Sequence, residues 1–224
     1  MPHDCELMAL TGLRATHAVC TLVERFVEHV LLAQETTRSW TMVVVDDAGG
    51  LDRSALPDDP RIHLFTLQRN EGGPAVPRNL GIRFARSPLI AFIDDDNQWL
   101  PDHLELLADA LEDDDRVFAY SQMAKTVGGE PGDIFGRPFD REILRDDHFI
   151  DTNTLMVRRK PGVRFSTLPR FPQARYWVAQ GEDWELTYRL SRRDRPVAFV
   201  PKVTVLYEAD GDSYWRGNGI QFDD

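Results

Sequence analysis

Three acidic clusters in this chain stand where carboxylates can do chemistry. The run Thr41-Met42-Val43-Val44-Val45 stops abruptly at Asp46-Asp47-Ala48-Gly49-Gly50, and Leu89-Ile90-Ala91-Phe92-Ile93 stops in the same way at Asp94-Asp95-Asp96-Asn97. Carboxylates at strand ends suit hydrogen bonds to a base or to ribose hydroxyls, and they suit oxygen ligation of Mg2+ or Mn2+. They equally suit plain strand termination, because Asp and Asn start turns. The third cluster is Gly181-Glu182-Asp183-Trp184-Glu185-Leu186, where a helix begins. An acid in a first helical turn is favoured by the macrodipole. Asp183 could instead be a general base at the mouth of a cleft, and its spacing alone leaves both open.

The elements that must position these acids follow from periodicity. Short continuous apolar runs are strands buried on both faces of a parallel sheet. We expect strands at Leu7–Thr11, Thr41–Val45, Ile62–Leu67, Leu89–Ile93, Val117–Val127, Thr154–Val157 and Val197–Tyr207. Helices are expected from His17 to Gln34 behind Thr16, from Pro77 to Arg86, from Pro101 to Leu111 and from Glu182 to Arg192. The segments Gly128–Pro138 and Pro161–Pro172 read as loops. Strand and helix alternate through the first half, and the second half is more mixed. The expectation is α/β: a single three-layer α/β/α domain with a mainly parallel central sheet. Open sheets of this kind bind ligands at the carboxyl ends of their strands, where the acids lie.

Composition narrows the partners. The chain has 224 residues, with 26 Lys and Arg against 37 Asp and Glu, a formal net charge of −11. That excess disfavours nucleic acid, whose backbone needs a basic face. The 2 cysteines and 6 histidines show no zinc spacing. No apolar run approaches the ~18 residues that cross a bilayer, so no membrane span and a cytoplasmic location are expected. Neither GxxxxGK[ST] nor GxGxxG occurs, which disfavours a P-loop or a dinucleotide fingerprint.

Four segments together resemble one family. Val43-Val44-Val45-Asp46-Asp47-Ala48-Gly49 resembles the nucleotide-binding strand of inverting family-two glycosyltransferases of the GT-A, nucleotide-diphospho-sugar transferase-like fold. Asn70-Glu71-Gly72-Gly73-Pro74-Ala75-Val76-Pro77-Arg78-Asn79-Leu80-Gly81-Ile82 is similar to their N-x-G…aRN-x-G-i segment. Ala91 to Asp102 resembles their fLDxDd-x-w-x-Pd segment, and Glu182-Asp183-Trp184-Glu185-Leu186 with Arg189-Leu190 their EDw-e-l…RL segment. The four stand in family order across most of the chain, about Leu22 to Tyr207.

The resemblance implies roles at matching positions. Thr11, opening the loop after the first strand, and Asp47 would take the donor base. Asp94 and Asp95 would face the ribose and metal, and Asp96 would ligate Mg2+ or Mn2+ directly. Arg78 would sit near the base or diphosphate, and Asp183 would be the catalytic base. The partners implied are a nucleotide-diphosphate sugar donor and an acceptor hydroxyl on a glycan or small molecule. Residues 1–100 would form the nucleotide-binding half of one domain spanning 1–224, and residues 101–224 the acceptor side. The chain departs from the pattern in three places. Leu10-Thr11-Gly12-Leu13-Arg14 replaces the usual first loop, Asn97 replaces a frequent fourth acid, and no histidine follows His148. Some relatives place a histidine metal ligand after the base, so Glu208, Asp210, Asp212 or water would serve here. The alternative to a transferase is a catalytically degenerate nucleotide- or sugar-binding protein of the same fold. Asp47 lies past the last apolar residue of its strand, so its loss is expected to leave the fold intact.

Overall fold

The alternation of side chains along a strand sends successive residues to opposite faces, and a strand apolar at every position is covered on both. That is the arrangement in the computed structural model, which describes residues 33–94, 97–127, 130–167, 181–192 and 195–208, and the backbone of 5–11. The strands are β1 (Cys5–Thr11), β2 (Trp40–Asp46), β3 (Ile62–Thr66), β4 (Leu89–Asp94), β5 (Asn97–Trp99), β6 (Phe118–Val127), β7 (Glu130–Phe135), β8 (Leu155–Arg158) and β9 (Ala198–Glu208). The described helices are α1 (Ala75–Phe84), α2 (His103–Ala110), α3 (Arg141–Asp146) and α4 (Glu182–Ser191).

From β2, Met42 and Val44 enter one core with Leu104, Leu107 and Leu111 of the α2 region, and Leu89, Ala91 and Ile93 of β4 join them. Val43 and Val45 point the other way, where Leu80 of α1 packs on them. On that face Ile90 and Phe92 of β4 meet Leu144 of α3 and Trp184, Leu186 and Leu190 of α4. The sheet is thus the middle of three layers, as expected.

All strands described form one sheet in the order β3-β2-β1-β4-β8-β6-β9-β5, with β7 paired to β6. The first four positions are parallel. Beyond them the sheet is mixed: β8 runs antiparallel to β4 and to β6, while β9 is parallel to β6. The register sets Thr11 beside Asp46 and Leu10 beside Asp94, so the carboxyl ends of β1, β2 and β4 open at one edge. Strand order reverses between β1 and β4, the kind of crevice where α/β sheets bind ligands.

Three elements differ from the sequence expectation. β5 is only three residues long, too short for a periodic signal. The expected loop Gly128–Pro138 holds β7, a hairpin partner of β6 whose Pro and Gly content hides it. There a Cβ on Gly132 would stand 3.2 Å from the Lys125 carbonyl oxygen, a close approach that glycine eases. α3 is capped by Asp140, whose carboxylate accepts from the Glu142 and Ile143 amides. Pro77 is not the first residue of α1 but the third, still inside the first turn where amides have no helical partner. The helix expected from His17 lies outside the described residues as far as 32, and Gln34, its expected end, is not helical.

Candidate active site

The turn after β2 is built by Asp46. Its side chain is fully buried, and its two oxygens accept from the amides of Gly49 at 2.7 Å, Gly50 at 3.0 Å and Leu51 at 3.1 Å. Within that turn Ala48 takes φ 60°, a left-handed conformation costly for a residue with a Cβ. Asp46 is spent on the turn. Asp47 is the one that reaches across: its Oδ1 accepts from the Glu71 amide at 2.9 Å, and its carbonyl oxygen accepts from Asn70 Nδ2 at 3.2 Å. Asn70 in turn accepts from Gly72 N at 2.8 Å, and Gly72 has φ 76°. The segment Asn70–Gly73 is therefore tied to the end of β2.

This corrects one expectation, because Asp47 is only 3% exposed and holds a loop amide. Removing its acceptor costs about 1 kcal/mol or more. We expect Asp47→Ala to lower the urea midpoint while Asp47→Asn, which retains an acceptor oxygen, leaves it nearly unchanged. Equal midpoints for the two variants would show the Glu71 bond to be without weight.

Arg78, in the first turns of α1, points under the end of β4. It is 3% exposed; Nη2 donates to both Asp94 oxygens at 2.8 and 2.9 Å, and Nη1 donates to Glu182. Its guanidinium carbon lies 5.2 Å from the Phe165 ring centroid. The resemblance put Arg78 near the base or diphosphate; in the structure it is an inner strut joining β4 to the head of α4. Asp94 is clamped further by Asn153, whose Oδ1 accepts from the Asp94 amide at 2.6 Å and whose Nδ2 donates to the carboxylate at 3.3 Å. The same Nδ2 donates to Asp151 at 2.8 Å.

At the head of α4, Asp183 accepts two hydrogen bonds and stands beside one histidine. The Trp184 amide donates to Oδ1 at 2.7 Å, Thr152 Oγ1 donates to Oδ2 at 3.2 Å, and His148 Nε2 stands 3.4 Å from Oδ2. Burial alone would raise the Asp183 carboxyl. The charged His148 beside it, with Arg78 and the Trp184 amide, outweighs burial and holds it at about 2. Burial works against the His148 cation too, yet Asp183 and Asp151 lift it to about 9. Glu182 moves the opposite way: burial, reinforced by Asp183 and only partly opposed by Arg78, pushes it up to about 7. Asp151 is also raised, by burial and by Asp183.

The structure brings Arg78, Asp94 and Asp183 into one network, and it adds Glu182, Asp151, Asn153, Thr152 and His148. Asp47 stands apart, bonded to the loop that leads into α1. Asp95 and Asp96 lie outside the described residues, as does the Thr11 side chain, although the backbone of Thr11 is beside Asp46. Among the described residues no three metal-binding side chains converge. Both Asp94 oxygens accept from Arg78. Trp99 packs against the site from within the core: it is 1% exposed and its Nε1 donates to the Asn153 carbonyl oxygen at 2.8 Å.

This site lies on a chain whose residues 16–164 match the family described as Glycosyl transferase family 2. The chain belongs to glycosyl transferase family 2. Like other members it has a GT-A, nucleotide-diphospho-sugar transferase-like α/β fold. The uncharacterized glycosyltransferase YwdF of Bacillus subtilis is 29% identical over 197 residues, 85% of this chain and 69% of YwdF. TuaG of the same organism, named for teichuronic acid biosynthesis, is 35% identical over 104 residues, 43% of this chain and 40% of TuaG. A glycosyltransferase of Rickettsia felis is 33% identical over 103 residues, yet this chain covers 16% of its length. Among solved structures, S. aureus TarS (1–349) gives a TM-score of 0.63 at 16% identity, over 92% of this chain and 60% of that fragment. The same TarS fragment has been crystallised with UDP and with UDP-GlcNAc. No helix among the described residues is long and apolar enough to cross a membrane.

Proposed function

We propose that this chain is an inverting glycosyltransferase that moves a sugar from a nucleoside diphosphate donor to an acceptor hydroxyl, with Asp183 as general base. The single observation that carries the reading is the setting of Asp183: a carboxylate at the head of α4 that accepts from the Trp184 amide and Thr152 and pairs with His148. Asp183 lies beyond the family match, which ends at residue 164, so its role rests on this geometry and on the resemblance of its EDw segment. In the reaction the acceptor oxygen attacks the anomeric carbon as its proton passes to Asp183. The bond between that carbon and the diphosphate oxygen breaks, and the diphosphate leaves with the electron pair. One displacement inverts the centre.

The chain's own residues divide the rest. Asp47 and Thr11, at the ends of β2 and β1, take the donor base, and Asp94, fixed by Arg78 and Asn153, faces the ribose beside Asp95. Residues 1–100 serve the donor and residues 101–224 the acceptor, within one domain. Asp96 would hold Mg2+ or Mn2+, which would neutralise charge on the diphosphate. The TarS complexes make UDP-sugars the first donors to try. The test is to incubate the protein with UDP-sugars and acceptor hydroxyls, to follow UDP release, and to read the anomeric configuration of the product by NMR. Transfer with inversion is expected; binding of donor without turnover in any acceptor mixture would overturn the reading in favour of a degenerate binder.

The cation has its own prediction. Calorimetry of UDP binding should show affinity falling on the order of tenfold or more when chelator replaces Mg2+ or Mn2+. Asp96→Asn should remove that dependence, and equal affinity in wild type with and without chelator would take the cation out of the site.

A further inference from the structure

We propose that His148 is a positioning residue for the reaction, its ring anchored on the Ile150 carbonyl oxygen and paired with Asp183 so that this carboxylate is the ionised member of its cluster. The inference rests on the reading of Asp183 as general base. Its foundation is geometric. His148 Nε2 lies 2.8 Å from the Ile150 carbonyl oxygen, which can only accept, so the hydrogen must be on Nε2. The same nitrogen stands 3.4 Å from Asp183 Oδ2, and Thr152 supplies a second donor to that oxygen at 3.2 Å. The ring cannot easily swing away. It stacks on Trp184, the residue after Asp183, at 5.9 Å and 24° between planes, and meets the edge of Phe135 at 5.8 Å.

The surroundings show what the cation is needed for. Asp183 lies against Asp151 and Glu182, and like charges at close range push one another's carboxyls up, as burial does. Arg78 is committed to Asp94 and Glu182, leaving His148 as the cation paired with Asp183. The groups facing the imidazole are Asp183 from α4 and Asp151 from the turn before β8. On the β7 side the contact is Phe135, and the nearby Arg137 is paired with Asp147 at 3.0 Å. With His148 beside it, Asp183 is held low while Glu182 and Asp151 are raised, so Asp183 is the carboxylate kept free to accept the acceptor's proton. The titrations of such a cluster belong to the group as a whole, and His148 biases which carboxylate stays empty.

Two measurements test this. The first follows the His148 ring by NMR through pH, in wild type and in Asp183→Asn. Wild-type His148 should titrate well above an ordinary histidine, and Asp183→Asn should bring it down by about one unit or more. The second is the pH profile of kcat/KM in His148→Gln, which retains a donor without the charge. The acid limb set by Asp183 should move up by about one unit or more, the alkaline limb of His148 should vanish, and donor KM should stay within a few fold. His148→Ala, without the donor, should lose a further ~10–100-fold in kcat. An ordinary titration of His148 in wild type, or an unchanged profile in folded His148→Gln, overturns the inference. Full transfer by Asp183→Asn overturns the base assignment and this inference with it. An inactive Asp183→Asn together with an unshifted His148 overturns the role of His148 alone. If either variant fails to fold, the other measurement decides.

Discussion

Asp183→Asn is expected to bind donor within a few fold of wild type and to transfer sugar about 10²–10⁴ times more slowly, the usual loss when a positioned proton acceptor is removed. Asparagine keeps an oxygen for the Trp184 amide, now at 2.7 Å, so the head of α4 retains that bond. It cannot accept a proton. The sequence suggests that such a change costs little stability, asparagine being a comparable helix-start residue. The structure raises that cost, because the pairing with His148 is lost and a hydrogen bond to a charged group contributes about 1.5–3 kcal/mol. The pH dependence of the cost has a definite sign. The Asp183 pKa is lowered to about 2 from 3.8, so its contribution is full above 3.8 and fades as pH falls through 2. The His148 pKa is raised to about 9 from 6.5, so its contribution is full below 6.5 and fades as pH rises through 9. Wild type should therefore exceed Asp183→Asn in stability most between about pH 4 and 6.5, measured by urea unfolding. Rate loss at unchanged donor affinity, in a variant that remains folded, separates catalysis from mere support; full transfer activity in the variant would falsify the base assignment.

What was legible beforehand depended on how local each signal is. β2 and β4 are readable because Val43, Val44 and Val45, like Ile90, Ala91 and Phe92, are buried on both faces, leaving no polar residue to break the run. The acids at their ends are readable for the same reason: the first charge after such a run marks the sheet's edge. Arg78 was visible in sequence but its setting was not, since the helix it occupies says nothing about Glu182, 104 residues away. Asn153 and His148 carried no signal at all. They reach the site because β8 pairs antiparallel with β4, Ala91 opposite Met156, which swings the preceding turn against Asp94 and Asp183. Register between distant strands is set by packing of both faces at once, and no short motif encodes it. For Asp47 the strand's end is legible but its partner is not: the Glu71 amide that it holds comes from a loop 24 residues on, which no local pattern encodes.

Arg78→Met should produce the largest stability loss of any single change considered, about 3–5 kcal/mol, as when one partner of a buried ion pair is removed. Methionine fills much of the volume, so the loss is not a cavity effect. It comes from leaving Asp94 and Glu182 to face each other without the guanidinium that binds Asp94 through two bonds and Glu182 through a third. Lysine should not rescue, because a point-like ammonium cannot serve both carboxylates in that fork geometry. The dependence on pH identifies the cause. Glu182 already sits near 7, raised by burial against the opposing pull of Arg78, while its ordinary value is 4.5. A folded carboxyl with a raised pKa binds a proton that the unfolded chain gives up, so stability falls as pH rises between the two values. Without Arg78 the Glu182 pKa rises further and that window widens. The deficit of Arg78→Met should thus be smallest near pH 4.5 and grow steadily toward pH 8, and Glu182→Gln added to it should recover a large part of the loss. Urea titrations of the wild type, the two single variants and the double variant across that range make the comparison. A deficit that is constant with pH, or a double variant no more stable than Arg78→Met, would mean that Arg78 acts by packing on Phe165 and not as the charge that holds β4 and α4 together.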